Sequence, residues 1–182
     1  MKIIIHPSIY LYLAVLLLVL PVKWLIAWLI AVSFHEFCNL ITIKLCGGTS
    51  YKLYVGFGGA IISCSDLTSK RFILALLAGP VGGILLLILG RLFPRIARCS
   101  WALSAYNLLP LLPLDGGQAL HLLIKSSRLY YTIERIVLIL LMIFSIHLSV
   151  NLHFGPLPVA AVAMLWIKNR NSPCKEPVCK VQ

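Results

Sequence analysis

His35, Glu36 and Asn39, in the stretch HEFCN, stand at the spacing of a hydrolytic metal site. Side chains four residues apart on a helix share a face. Two histidines so placed can hold zinc, while the glutamate beside the first acts as general base toward water. Here the second place is Asn39 rather than histidine. Three completions stay open. Asn39 ligates in place through its amide oxygen, a weaker zinc donor than imidazole. Alternatively Cys38, three residues from His35, supplies a thiolate from a direction about 100° away from position 39. In the third, the metal chemistry is lost and the scaffold binds its clients without cutting them. His121 and His6 are more remote substitutes for the missing ligand.

Asp115 is the second candidate. It lies in NLLPLLPLDGG, behind Pro110 and Pro113 and ahead of Gly116 and Gly117. Proline interrupts a helix, so this segment has backbone groups that must be buried in protein or line a wet cavity. A carboxylate at such a break is well placed to be a metal ligand from a distant part of the chain. The competing structural reading is an aspartate that turns the chain into the helix 118–124.

The elements that must position these residues are apolar. The 182 residues are 60% hydrophobic and 12% charged, with mean hydropathy +0.98, whereas a soluble domain carries about 25% charged residues. The composition is that of a multi-pass membrane protein with room for about six spans of roughly 20 residues. Apolar runs cover about 8–20, 22–45, 70–90, 96–112, 133–150 and 156–167. Residues 49–69 alternate in the manner of two short strands around Gly56–Gly59. The expected fold is therefore all-α and polytopic, about six transmembrane helices with a small membrane-associated β-hairpin. Residues 1–170 form the membrane domain and 171–182 a polar cytoplasmic tail.

Twelve of the sixteen Lys and Arg fall on one side if both termini are cytoplasmic, leaving Lys23, Arg91, Arg95 and Arg98 outside. The net charge of +11 is thus a matter of topology and lipid headgroups, not of nucleic acid. MKIIIHP lacks the pattern of a cleavable signal. The six cysteines, at 38, 46, 64, 99, 174 and 179, read as small packing residues, with Cys174 and Cys179 the only pair in a polar segment. A transporter would normally carry internal repeats, and none is seen. A purely structural adaptor leaves His35, Glu36 and Asp115 in an apolar chain without a reason, since ionisable residues are costly in a membrane.

HE within an apolar helix, LAGP at 77–80, and Asn107-x-x-Pro110-x-x-Pro113-Leu114-Asp115-Gly116-Gly117 together resemble the site-2 proteases, intramembrane zinc metalloproteases. The early IHP and the FGG of the strand region look like the bacterial branch that includes the stage IV sporulation protease acting on a pro-sigma factor. The resemblance covers about residues 3–170. It implies one zinc ion per chain, with His35 and Asp115 as ligands, Glu36 as general base, and Asn107 beside the metal on the substrate path. It also implies that strands 51–62, with Gly58 and Gly59, pair with an unwound substrate segment. Implied partners are membrane or membrane-associated protein substrates, membrane lipids and inhibitory membrane proteins. The implied location is a bacterial cell membrane. Asn39 departs from the family pattern, as does Val81-Gly82-Gly83 where relatives often carry a polar residue. The chain ending at Gln182 implies that a nucleotide-sensing domain found in some relatives is absent.

Overall fold

The computed structural model describes residues 2–5, 7, 10, 14, 16–18, 21–48, 51–56, 59–64, 67–124, 126–151 and 157–171. In chain order the elements are β1 (Lys2–Ile5), α1 (Val22–Leu45), β2 (Tyr51–Gly56), β3 (Gly59–Cys64), α2 (Ser69–Leu85) and a 3-10 turn over Leu86–Arg91. There follow α3 (Pro94–Asn107), α4 (Asp115–Leu123), α5 (Ser127–Asn151) and α6 (Leu157–Asn171). The chain divides after Leu108 into two compact units. The polar tail, His6, Gly58, Cys174, Cys179 and most of the first apolar run lie outside the described residues.

In the first unit α1 opens after Pro21 and runs for 24 residues, about 36 Å at 1.5 Å per residue. Its end is closed in a Schellman pattern. Gly48 N–H donates to Ile43 O at 2.9 Å and Gly47 N–H to Lys44 O at 3.1 Å. Gly47 adopts φ 88°, a left-handed conformation that glycine takes without a side-chain clash. Arg71 from the start of α2 donates to Cys46 O at 3.2 Å, so α1 ends where α2 begins and the two run antiparallel. α2 contains Pro80 and passes into the 3-10 turn at Leu86. Just before that change, Ser100 Oγ donates to the Gly83 carbonyl at 3.1 Å. α3 starts on Pro94, a residue whose missing N–H costs nothing at a helix start.

Lys2–Ile5 pairs in parallel with Lys52–Val55, and Tyr51–Gly56 pairs antiparallel with Gly59–Cys64, giving a three-stranded sheet of order β1-β2-β3. The expected two-strand hairpin is thus corrected to a sheet. Parallel pairing uses a long crossover, here carrying α1, and leaves no local turn signal in the sequence.

In the second unit Leu111, Leu114, Leu138 and Leu165 form a buried cluster, flanked by Leu109, Val137 and Leu141. The proline-rich segment is therefore anchored by its leucines against α5 and α6. Among the described residues three helical stretches are long and apolar enough to cross a membrane: Val22–Leu45, Ser69–Arg91 and Ser127–Asn151. α3 and α6, at 14 and 15 residues, reach roughly 21–23 Å against a hydrocarbon core of about 30 Å. The expectation of six spans accordingly stands at three in the described structure.

Candidate active site on helices α1 to α3

The buried face of α1 is a ladder with a rung every four residues: Ala27, Ala31, His35, Asn39 and Ile43. Its two alanines meet Cys99 and Leu103 of α3. One further step of four on both helices brings His35 to Asn107, whose Nδ2 lies 3.5 Å from His35 Nε2. α1 and α3 therefore run parallel, and their common period carries the imidazole and the amide together. His35 is 2% exposed and Asn39 3%, so both places of the motif face the interior. Glu36 is half-buried on the neighbouring face.

The opposite wall is α2. Gly79 N–H donates to Asn39 Oδ1 at 2.6 Å. A Cβ on Gly79 would stand 2.6 Å from both Asn39 Oδ1 and His35 Nε2. The two polar atoms thus converge on one point, left clear only because residue 79 has no side chain. Cys38 goes elsewhere. Its Sγ would be 2.5 Å from a Cβ on Gly82, one turn along α2, so the thiol packs where Gly82 makes room. Gly83 does the same for Ser104 and Ser100 of α3. Small residues on α2 are what let three helices approach this closely.

In the second unit Asp115 is the first residue of α4 and is half-buried. The turn that delivers it is tied down three times. Gln118 Nε2 donates to Pro113 O at 2.8 Å. Gly117 lies against the Leu111 carbonyl group, where any Cβ would collide with backbone. Leu112 N–H donates to Glu134 Oε1 at 3.2 Å. Glu134 is 5% exposed and also accepts from Tyr130 Oη at 3.1 Å. Sequence reasoning missed Glu134. Its only signal is that it is the one carboxylate of α5, and a carboxylate is costly to bury unless it is hydrogen-bonded.

His35, Asn39, Asn107 and Gly79 are thus brought together within the first unit, and Asp115 is held by contacts within the second. Gly59 begins β3. Among the described residues no three of His, Cys, Asp and Glu gather as a metal site; on α1 the face that would offer a second histidine presents Asn39 instead.

No family model and no curated relative matches the sequence. The architecture does have a counterpart: the site-2 protease from Methanocaldococcus jannaschii, with a TM-score of 0.63 over 92% of this chain and 88% of that one. The fold is that of a site-2 protease. Identity is 19%, so the likeness is one of fold.

Proposed function

We propose that the chain is an intramembrane metalloendopeptidase of the site-2 protease type. The carrying observation is the convergence of His35 Nε2, Asn39 Oδ1 and Asn107 beside Gly79 in a fold shared with such a protease. Glu36 adjoins them in sequence.

By chemical type the donors suit zinc, with one weak member. His35 and Asp115 offer imidazole and carboxylate, ligand types that zinc commonly takes. Asn39 offers an amide oxygen with two lone pairs, one already engaged by Gly79 N–H. His35, Asp115 and Asn39 would hold one ion per chain, with Cys38 the alternative to Asn39. When bound, zinc supplies the Lewis acidity that polarises a carbonyl and makes water a better nucleophile at neutral pH. Glu36 takes a proton from the attacking water on its carboxylate and delivers it to the departing amide nitrogen. Asn107 orients the peptide beside the imidazole. Helical substrates must first unwind, because their amides are hydrogen-bonded internally. The edge of β3 away from β2 carries no strand among the described residues and suits strand addition by the unwound segment, with Gly58 and Gly59 the residues that the sequence resemblance assigns to it.

On this reading the substrates are membrane or membrane-associated proteins, a pro-sigma factor of sporulation being the finest assignment that the sequence resemblance supports. The chain would lie in a bacterial membrane with six spans and both termini cytoplasmic, and inhibitory membrane proteins would be its regulators. The test is cleavage of a single-span substrate with Gly or Pro in its span, in proteoliposomes. Glu36→Gln is expected to lower the rate by roughly 10²–10⁴-fold. Undiminished cleavage by that variant sinks the reading.

A second reading is favoured by the Asn39–Gly79 hydrogen bond. If that bond commits the amide to holding α1 on α2, the chain is a catalytically impaired relative that binds membrane clients. It then shows no cleavage as it stands and gains cleavage on Asn39→His.

A further inference from the structure

From the hydrogen bonds of the second unit we infer that Glu134 is a positioning residue for the turn that carries Asp115. The inference rests on the reading of Asp115 as a functional carboxylate. Glu134 lies in the second turn of α5, beside Arg135 and ahead of the helix's apolar run, yet is 5% exposed. A carboxylate in such a place demands donors. It has two, both on the same oxygen: Leu112 N–H at 3.2 Å and Tyr130 Oη at 3.1 Å. Tyr130 stands one helical turn before Glu134, is itself fully buried, and has the His121 ring of α4 edge-on at 4.8 Å.

Leu112 precedes Asp115 by three residues, and its amide belongs to a segment that no helix satisfies. Glu134 therefore supplies from a rigid transmembrane helix the acceptor that this stretch of backbone lacks. The neighbouring ties are local: Gln118 to Pro113 and Gly117 to Leu111 are both within the turn and its helix. Glu134 ties the turn to α5, twenty-two residues away in sequence, with Tyr130 Oη beside it and also within reach of the Leu112 amide. The leucine cluster below the turn sets its depth, and a directional bond adds its rotation.

What Glu134 provides is an acceptor, not a charge, so its conservative amide should serve. Hydrogen exchange on the full chain in lipid nanodiscs reads this directly. In Glu134→Leu, the Leu112 amide is expected to exchange at least roughly tenfold faster, since the bond that protects it is gone. Peptides from α1 to α3 should exchange as in the parent. Glu134→Gln should restore parental protection. Should Glu134→Leu fail to fold, Glu134→Asp retracts the acceptor by one methylene and takes its place. Parental exchange at Leu112 in Glu134→Leu or Glu134→Asp overturns the inference. So does loss of protection in Glu134→Gln equal to that in Glu134→Leu.

Zinc retention, measured on the same samples beside Asp115→Ala, separates the two layers. If Asp115 is a ligand, Asp115→Ala loses zinc, and Glu134→Leu weakens it by roughly 10–100-fold, as loss of a group supporting a ligand does. Altered exchange with zinc unaffected by Asp115→Ala leaves the positioning role standing and removes the ligand role from Asp115.

Discussion

Asn39 has two possible employments, and they predict opposite responses to substitution. As an acceptor from Gly79 N–H at 2.6 Å it joins α1 to α2. Interhelical hydrogen bonds of this kind in membranes contribute about 0.6 kcal/mol on average and about 1.7 at most. Asn39→Leu keeps the branched shape and removes the acceptor, and should cost on the order of 1 kcal/mol in a reversible unfolding assay. As a zinc donor, the same oxygen is poor, and imidazole at position 39 would be much better. Asn39→His is therefore expected to raise zinc affinity by roughly tenfold or more, scored by competition with a chelator, by analogy with the tenfold and larger losses seen when ligand environments are damaged. If Asn39→His binds zinc no better than the parent, position 39 does not belong to a metal site in this chain. Cys38 gives a clean control, because its sulfur packs on Gly82. Cys38→Ala should leave zinc content unchanged, and loss of zinc there would instead mark a thiolate site.

At the scale of elements, α2 works by what it omits. A Cβ at 79 would crowd His35 and Asn39 at 2.6 Å, whereas one at Gly90 would meet Ala97 Cβ at an ordinary 3.5 Å. Gly79→Ala is thus expected to destabilise by about 1–3 kcal/mol, the usual result of overpacking. Gly90→Ala should be neutral or gain about 0.4–1 kcal/mol through the unfolded chain. Equal stability of the two variants would mean that the close approach of α1 and α2 is not held by Gly79. The elements themselves were largely legible. The run at 22–45 matches α1 to the residue, because Pro21 and Gly47 punctuate it. The stretch at 70–90 matches α2 with its 3-10 extension. The run at 96–112 overshot, since hydropathy continues through Leu108–Leu112 after Pro110 has stopped the helix. The start of α5 was missed by six residues because Ser127–Thr132 is polar and aromatic. Pairing by contact is what sequence could not give. β1 with β2, Gly79 with Asn39, and Glu134 with Leu112 join distant residues through backbone groups, which have no letter in the sequence.

Whole-molecule orientation turns on charge, and the first unit divides its charge almost evenly. α1 and α3 run parallel and α2 antiparallel to them, so Lys23, Arg91, Arg95 and Arg98 gather at one end. Arg98 there stacks over Trp24 at 5.6 Å from the ring centroid, the pairing of cation and aromatic common at membrane interfaces. Lys44, Lys70 and Arg71 mark the opposite end, where Arg71 caps α1. A cationic cluster on each end leaves the first unit without a decisive positive-inside bias. In the proposed topology the bias comes from the sequence after Leu108, with its Lys and Arg at 125, 128, 135, 168, 170, 175 and 180. Orientation should therefore survive neutralisation of the first cluster. In the triple variant Arg91→Gln, Arg95→Gln, Arg98→Gln, a cysteine placed at exposed Leu92 should still react with an impermeant thiol reagent added to intact cells. One at Leu45, 81% exposed at the far end of α1, should react only after the membrane is opened. The native cysteines, changed to serine or alanine, keep the background low. Labelling of Leu45→Cys in intact cells would invert the topology and place the Lys23 end, with its three arginines, in the cytoplasm. Lys44, Lys70 and Arg71, with Lys2 and its strand partner Lys52, would then no longer be inside charges, and the strands β2 and β3 that follow the Leu45 end of α1 would be offered to substrates from outside the cell.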